Sequence, residues 1–209
     1  MSTSIAAMPG IVADLASRDT RLAKVIKASP LCTLGATSIQ ESNFVSLVES
    51  VVSQQLSVKA ADAIYKKVES AAGSSIEPGS LARLTELELR GCGLSNSKVK
   101  TIRGLTDAAI SGQIDFEDLH TIDDDLEIAQ QLTALWGIGQ WTVDMFMMHQ
   151  LGRLDVWPVG DLGVRKGWQK IYGLPETLEQ KAMVGEGDHL RPYRSVVAWY
   201  CWKALDLGK

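Results

Sequence analysis

Apolar side chains recur along most of the chain at intervals of three and four residues, which is the spacing of one helix face. Two of these stripes consist of Phe44, Leu47, Val48, Val51 and Val52, and of Val58, Ala61, Ile64, Tyr65 and Val68. Alternating strand patterns are scarce, and breaks rich in Gly, Ser or Pro fall near 73–80, 91–96, 112–115 and 173–175. The chain is therefore predicted to be all-α, with short helices joined by tight turns and the weakest pattern at 29–41.

The composition, 45% hydrophobic and 22% charged, is that of an ordinary globular protein. Cys32, Cys92 and Cys201 are far apart in the chain, which argues against a disulfide framework and favours a reducing, intracellular setting. No apolar run approaches the roughly 18 residues of a membrane span, and no basic segment precedes an apolar core at the start. We expect neither secretion nor membrane insertion, and a location in the cytoplasm of a prokaryote or the nucleus of a eukaryote.

Two helical stripes between 124 and 151 flank Gly137, Ile138 and Gly139, which predicts a helix, a tight hairpin and a second helix. Ile138 is expected to plug the core. The backbone N–H groups of Gly137, Gly139 and the turn that starts at Trp141 form a candidate phosphate site, because a helix N-terminus has unpaired donors and a positive dipole end. Such local binding is compatible with a formal net charge of −4, which argues against a surface coated in basic residues.

Asp161 is the candidate catalytic residue. It follows Pro158, Val159 and Gly160 and precedes a helical pattern, so the same carboxylate is also a predicted N-cap. The two roles are compatible, because a carboxylate at a helix N-terminus suits a group that faces developing positive charge.

A known family resembles this chain in three separate segments. The hairpin and aspartate region reads LTALWGIGQWTVDMFMMHQLGRLDVWPVGDLGVRKG and resembles the signature of the HhH-GPD base-excision DNA glycosylases, in particular of the 3-methyladenine DNA glycosylase II type. Twenty positions separate Trp141 from Asp161, as in that family. ESNFVSLVESVVSQQLSVKAADAIYKKV and LRPYRSVVAWYCWKAL resemble the family's DNA-probing and closing helices. The resemblance extends from about Glu41 to Leu205 and is to the compact form without an N-terminal β domain.

The resemblance implies one domain, residues 1–209, with two closely packed helical lobes and the active site in the cleft between them. The hairpin motif falls at about 124–151 and the aspartate element at 155–167. The implied activity is a DNA repair reaction in which an alkylated base is rotated out of duplex DNA and its N-glycosidic bond is hydrolysed, leaving an abasic site. Asp161 is then expected to stabilise the oxocarbenium-like sugar or to orient water. The expected partner is double-stranded DNA containing alkylated bases, bound by a monomer.

The resemblance also assigns the remaining site residues. The residues expected in the base pocket are Trp141, Trp202, Met145 and Trp157. The residues expected to contact DNA are Gln54, Gln55, Leu56, Ser57, Gly137, Gly139, Trp141 and Thr142. The aromatic rings suit a cationic purine, and Gln55 is the candidate wedge that fills the gap in the duplex. Met145 departs from the family, because the bacterial enzyme has an aromatic ring there.

Bifunctional relatives carry a lysine two residues beyond the second hairpin glycine, where it forms a Schiff base with the sugar. Trp141 occupies that position here, so we expect base removal without lyase activity. The expected hydrolysis requires no cofactor. The family often binds a structural Na+ or K+ through hairpin carbonyls, which by position belong to Thr133, Leu135 and Ile138.

Other functions stay open at this point. One is a damage-sensing helix-hairpin-helix protein that binds DNA and excises nothing, and another is a glycosylase specialised for ethenoadenine, hypoxanthine or uracil. None of His120, His149 and His189 is expected beside the catalytic segment, so no general acid is identified. Two basic clusters are each as typical of a solvated helix face as of phosphate contacts, and they consist of Lys98, Lys100 and Arg103, and of Arg165, Lys166 and Lys170.

Overall fold

The computed structural model describes residues 7–35 and 42–207, so residues 36–41 of the weakly patterned stretch lie outside the described residues. Within the described residues there are twelve α-helices and no strand, which confirms the predicted all-α fold. The helices are α1 (Met8–Arg18), α2 (Thr20–Ala28), α3 (Asn43–Ser53), α4 (Val58–Ala71), α5 (Pro78–Arg83), α6 (Glu86–Gly91), α7 (Asn96–Ile110), α8 (Asp125–Thr133), α9 (Gln140–His149), α10 (Leu162–Tyr172), α11 (Gln180–Met183) and α12 (Arg194–Asp206). Short 3-10 helices follow α7 (Glu117–Thr121) and α11 (Asp188–Leu190). Within residues 7–35 and 42–207, no helix combines the length and apolar character that crossing a membrane requires.

Short polar side chains directly before several of these helices act as their N-caps. Each accepts a hydrogen bond from a backbone N–H group of the first turn, which would otherwise have no partner. The residues that cap α2, α3, α4 and α7 in this way are Asp19, Ser42, Ser57 and Ser95. These capping residues therefore fix where the helices start, and Ser95 is the one of the four that lies in a predicted break, at 91–96.

The described residues divide into two compact units. The central unit contains residues 42–146, and the terminal unit contains residues 7–35 and 147–207. Helices α3 to α8 and most of α9 belong to the central unit, whereas α1, α2, α10, α11 and α12 belong to the terminal unit.

Helix α3 forms the centre of the first core. Its predicted apolar stripe is buried in full and consists of Phe44, Leu47, Val48, Val51 and Val52. Helix α7 and helix α4 pack against it. The stripe of α4 is buried only in part, because Val58 at the first helical position is 88% exposed, whereas Ala61 and Val68 are buried.

Helix α12 forms the centre of the terminal unit, and all of its residues from Ser195 to Cys201 are buried. Helix α10 packs closely across it at Gly167, where a Cβ atom would lie 2.0 Å from the carbonyl oxygen of Cys201. A glycine is therefore required for this helix contact. Cys32, Cys92 and Cys201 are free and buried, and burial raises the pKa of the Cys32 thiol to about 11. Burial likewise raises the pKa of Cys201.

Candidate active site

The predicted hairpin is present between α8 and α9. Gly137 has a φ of +84°, in the region that favours glycine, and a Cβ atom there would lie 2.0 Å from the Thr101 hydroxyl oxygen on α7. Ile138 is 4% exposed, as expected for a residue that plugs the core. The hairpin is therefore held by a close approach to α7 and by one buried apolar side chain.

Helix α9 starts directly after the hairpin. The carbonyl of Gly139 accepts a hydrogen bond from the Val143 N–H group at 3.2 Å, so the first N–H groups of α9 point out of the helix with no acceptor inside it. Trp141 is 48% exposed. Thr142 is buried, and its hydroxyl oxygen accepts a hydrogen bond from the Gln54 side-chain amide at 3.3 Å. The start of α9 is thus bonded to the segment that follows α3.

That segment, residues 54–57, is called the probing loop below. Gln55 has a φ of +59°, a left-handed conformation that is uncommon for residues other than glycine. Leu56 is 40% exposed, and its N–H group donates to the Ser53 carbonyl at 3.1 Å. Ser57 caps α4. The loop therefore presents one glutamine and one leucine from a reversal of the chain between two helices.

A cavity of about 670 Å³ lies within the central unit and brings seven predicted site residues together. The predicted residues that line it are Gln54, Gln55, Leu56, Gly139, Trp141, Thr142 and Met145. The two predicted DNA-contacting residues Ser57 and Gly137 are not among its lining residues. The cavity joins the probing loop, the start of α9 and the position at which the family has an aromatic ring.

Glu49 is a further residue of this cavity that the sequence analysis missed. It is the one ionisable side chain among the residues that line the cavity, and it lies on α3 with Ser46, Ser50 and Ser53. These four residues follow each other at helical spacing on the face of α3 opposite its apolar stripe. A polar stripe of this kind usually faces solvent, so the sequence alone did not mark Glu49 as a site residue. The cavity that these residues line is what identifies the stripe as part of a candidate site.

Asp144 on α9 is a second acidic residue that the sequence analysis did not single out. It is 5% exposed, and its Oδ1 atom accepts a hydrogen bond from the Gln140 side-chain amide at 2.8 Å. Burial raises the pKa of this carboxyl to about 6, because the charged form loses its hydration.

Asp161 begins α10 in the terminal unit, and its predicted role as an N-cap is confirmed. Its Oδ1 atom accepts hydrogen bonds from the Val164 N–H group at 2.8 Å and from the Trp202 indole N–H group at 2.9 Å. A Cβ atom at Gly163 would lie 2.9 Å from the Trp202 ring and 3.0 Å from Asp161 Oδ1. Gly163 therefore leaves the space in which the indole reaches the carboxylate.

The expectation that no histidine lies beside the catalytic segment is wrong for His149. Its ring stacks on the Trp202 ring with centroids 5.9 Å apart and planes at 20°, and Trp202 in turn donates to Asp161. Partial burial lowers the pKa of His149. The sequence did not indicate this contact because Trp202 is far along the chain and nothing in the spacing links the two residues.

Trp157 packs within the terminal unit, against Met183, Trp168 and Gly187. Its indole N–H group donates to the Met183 carbonyl at 2.9 Å, and its ring meets Trp168 edge to face with centroids 5.4 Å apart. Gly187 lies so close beneath it that a Cβ atom would be 2.9 Å from the ring. These contacts are those of a packing residue, and its assignment to a base pocket stays a prediction.

The first basic cluster is engaged within the protein. The Lys98 ammonium donates to backbone carbonyls at the end of α3, and the Arg103 guanidinium donates to backbone carbonyls of α5 and the residue after it. The Lys100 ammonium lies over the Trp136 ring, 4.2 Å from its centroid. The basic side chains of this cluster therefore contact backbone carbonyls and the Trp136 ring of the protein itself.

The second basic cluster, on α10, is engaged in part. Arg165 donates to the Leu178 carbonyl at 3.0 Å, and Lys170 donates to the Leu207 carbonyl at 2.6 Å. Lys166 is exposed and makes no ion pair or hydrogen bond within the described ranges.

The predicted cation ligands are backbone carbonyls at the end of α8 and in the hairpin. Thr133 is the last residue of α8, where carbonyls lack intrahelical donors and carry the negative end of the dipole. The Leu135 carbonyl accepts a hydrogen bond from the Ile138 N–H group at 3.2 Å and retains a second lone pair. This donor set fits a hard monovalent cation, and the site stays a prediction.

These features define a helix-hairpin-helix protein with a capped aspartate downstream, and the family comparison agrees. A profile of the HhH-GPD superfamily base excision DNA repair proteins matches residues 48–186. The chain belongs to this superfamily.

Individual relatives give the same result. DNA-3-methyladenine glycosylase 1 of Schizosaccharomyces pombe is 32% identical over 78% of this chain and 72% of its own length. The crystal structure of a DNA-3-methyladenine glycosidase from Bacillus halodurans superposes with a TM-score of 0.85 at 39% identity, covering 94% of this chain and 89% of that one. The S. pombe 3-methyladenine DNA glycosylase (Mag1) in complex with abasic DNA superposes with a TM-score of 0.79 at 29% identity, covering 95% and 98%.

Proposed function

We propose that the chain is a DNA glycosylase that removes alkylated purines of the 3-methyladenine and 7-methylguanine type from duplex DNA, leaving an abasic site. The observation that carries this proposal is the Asp161 carboxylate, which is fixed by one backbone donor and one indole donor. The relatives named as 3-methyladenine glycosylases support the substrate class.

The reaction breaks the bond between C1′ of the deoxyribose and the base nitrogen, and water supplies the hydroxyl group that replaces the base. Its transition state carries positive charge on the sugar, so a correctly placed carboxylate lowers the barrier. The hydrogen bonds from Val164 and Trp202 restrict the orientation of Asp161 before substrate binds. An alkylated purine leaves as a neutral base, since it already carries the positive charge, and it therefore needs no strong acid.

The cavity of the central unit has the chemistry to favour a cationic base. Trp141 offers an exposed electron-rich ring, and Met145 offers a polarisable thioether. Glu49 is the one ionisable residue that lines this cavity. A glutamate carboxylate attracts the positive charge of an alkylated base. Trp202 is proposed to act mainly through Asp161, and its role as a pocket wall stays a prediction.

The probing loop and the hairpin are proposed to hold the DNA. Gln55 enters the gap left by the flipped nucleotide, with the exposed Leu56 beside it. The N–H groups at Gly137, Gly139 and the start of α9 bind a backbone phosphate, which positions the duplex and reads no sequence.

The chain is proposed to lack lyase activity. Trp141 stands at the position where bifunctional relatives carry the Schiff-base lysine, and an indole forms no such adduct. Treatment of a reacting mixture with borohydride should therefore trap no enzyme–DNA adduct. A trapped adduct would overturn this part of the proposal.

The whole proposal is tested by incubating the protein with methylated duplex DNA and separating the released free bases by chromatography. Release of 3-methyladenine and 7-methylguanine, with strands that stay intact until alkali cleaves the abasic sites, is the expected result. Binding of the same DNA without release would favour the damage-sensing function instead.

A second candidate follows from His149. A neutral base such as hypoxanthine or ethenoadenine needs a proton as it leaves, and the protonated form of the imidazole stacked on Trp202 can donate one. Excision from oligonucleotides that each carry one lesion, including uracil, separates a broad enzyme from one restricted to cationic purines.

A further inference from the structure

Lys98 is the one member of the first basic cluster that touches the probing loop. Its ammonium group donates to the Val52 carbonyl at 2.7 Å and to the Gln54 carbonyl at 2.8 Å. Partial burial lowers the pKa of this lysine, because its charge loses hydration. Lys98 itself lies in the first turn of α7, where Ser95 caps the helix by accepting from the Lys98 N–H group at 3.3 Å. Both the backbone and the ammonium of Lys98 are thus fixed.

The two carbonyls that Lys98 binds lie at the end of α3. Val52 is in its last turn and Gln54 is its C-cap, so these carbonyls belong to the set that a helix leaves without intrahelical donors. A cation at this end also interacts favourably with the helix dipole. Lys98 therefore fixes the point at which α3 ends and the chain turns into the probing loop.

The next residue, Gln55, adopts the left-handed conformation at φ +59°, which costs a non-glycine residue free energy. Such a conformation persists only where its surroundings determine it. Two contacts flank it on the N-terminal side, the Lys98 bond to the Gln54 carbonyl and the bond from the Gln54 side chain to Thr142. Gln55 is thereby presented from a loop whose first residue is held by both its backbone and its side chain.

We infer that Lys98 is a positioning residue that holds the probing loop in the conformation that presents Gln55. The inference rests on the proposed function for its consequence, since Gln55 is the proposed wedge. A loop held in advance does not lose conformational entropy when it enters the duplex, so more of the binding free energy remains for base flipping. Lys98 acts through the loop and not as a phosphate contact.

Hydrogen exchange tests the positioning without any need for activity. Lys98→Met removes the charge and its donors while it keeps an unbranched chain, and Lys98→Arg restores a cationic donor. Lys66→Met is the matched control, because it removes one lysine charge from an exposed pair on α4. We expect Lys98→Met to accelerate exchange at the Gln54 and Leu56 amides, which donate to the Val51 and Ser53 carbonyls, by about tenfold or more, with Lys98→Arg intermediate and Lys66→Met unchanged. Unchanged exchange in Lys98→Met would overturn the inference.

Excision then tests the consequence, with single-turnover rates on 7-methylguanine placed opposite cytosine or opposite an abasic analogue. An unpaired lesion costs less to flip, so the loss in Lys98→Met should be about tenfold for the paired lesion and within about twofold for the unpaired one. Gln55→Ala combined with Lys98→Met should be no slower than Gln55→Ala alone. Equal losses on both substrates, or losses that multiply in the double variant, would overturn the inference. A wild-type chain that releases no base would refute the proposed function, while the exchange result would still decide the role of Lys98.

Discussion

The terminal and central units present their candidate functional groups in different ways. In the terminal unit, Asp161 is fixed by side-chain contacts between residues distant in the chain, through Trp202 and its stack on His149. In the central unit, the hairpin and the probing loop combine left-handed backbone conformations, at Gly137 and Gln55, with contacts of Lys98 and Thr142 to Gln54. A reaction that depends on one carboxylate tolerates little change in the residues around that carboxylate. A surface that contacts DNA at several points distributes the free energy of DNA binding over those contacts. Substitutions that change Asp161 or a donor to it should therefore cost more activity than substitutions at a single DNA-contacting residue.

Apart from Asp161 itself, the largest effect is expected at Trp202. Trp202→Phe keeps an aromatic ring for the stack on His149 but removes the indole donor to Asp161 Oδ1. We expect kcat for 3-methyladenine release to fall by about 100-fold, similar to the loss of one oriented donor in other active sites. Single-turnover kinetics with thermal denaturation as a fold control measure this. A rate within about twofold of wild type would show that the indole does not orient the carboxylate.

The next effect concerns stability in the central unit. The pKa of Asp144 is raised to about 6 in the folded protein, so folding penalises its ionised form. The ionised Asp144 carboxylate therefore destabilises the folded protein. This effect is absent below the ordinary carboxyl pKa and is complete above pH 6. Asp144→Asn keeps an oxygen for the Gln140 bond and should be more stable than wild type by about 2 kcal/mol near pH 7.5, with no difference near pH 4.

Urea denaturation of both proteins across this pH range measures the difference. A variant that is less stable than wild type at neutral pH would mean that the charged carboxylate is stabilised by contacts stronger than its desolvation.

A smaller effect is expected in the probing loop. Gln55→Ala removes the proposed wedge and leaves the hairpin contacts in place, so excision of a paired lesion should fall by about tenfold. The same variant should also relax the left-handed conformation of the loop only slightly, since Lys98 and Thr142 still hold Gln54. Excision and duplex binding equal to wild type would show that another residue fills the gap.

The smallest effect is expected for His149 and depends on the lesion. His149→Phe retains the stack on Trp202 and removes the ring N–H group. We expect release of hypoxanthine to fall by about fivefold and release of 7-methylguanine to stay within about twofold. Because burial lowers the pKa of His149, the protonated form is scarce at neutral pH, and hypoxanthine release by wild type should increase as the pH falls. Equal losses for both lesions would assign His149 a purely structural role.

Local sequence patterns predicted the parts of the fold that local physics determines. The buried stripe of α3, the hairpin with Ile138 in the core, and Asp161 as an N-cap are all present. Glycine pairs and capping residues act over a few positions, so their effects are visible in the sequence.

Contacts between distant segments could not be predicted in this way. Nothing local indicates that the Lys98 ammonium reaches the end of α3, that His149 stacks on Trp202, or that Trp157 packs on Trp168. The positive φ of Gln55 was also hidden, because the residue type gives no sign of a left-handed conformation. These contacts arise from helix packing, which brings together residues that sequence spacing keeps apart.

The role of Asp161 is tested most directly by Asp161→Asn on methylated duplex DNA. Asparagine is also a good N-cap and retains an oxygen for the Val164 and Trp202 donors, so the substitution removes the charge and little else. We expect the variant to fold and to bind DNA as wild type does, with single-turnover release of 3-methyladenine reduced by about 1000-fold. Release at a rate within about threefold of wild type would contradict the assignment of Asp161 as the group that stabilises the sugar cation.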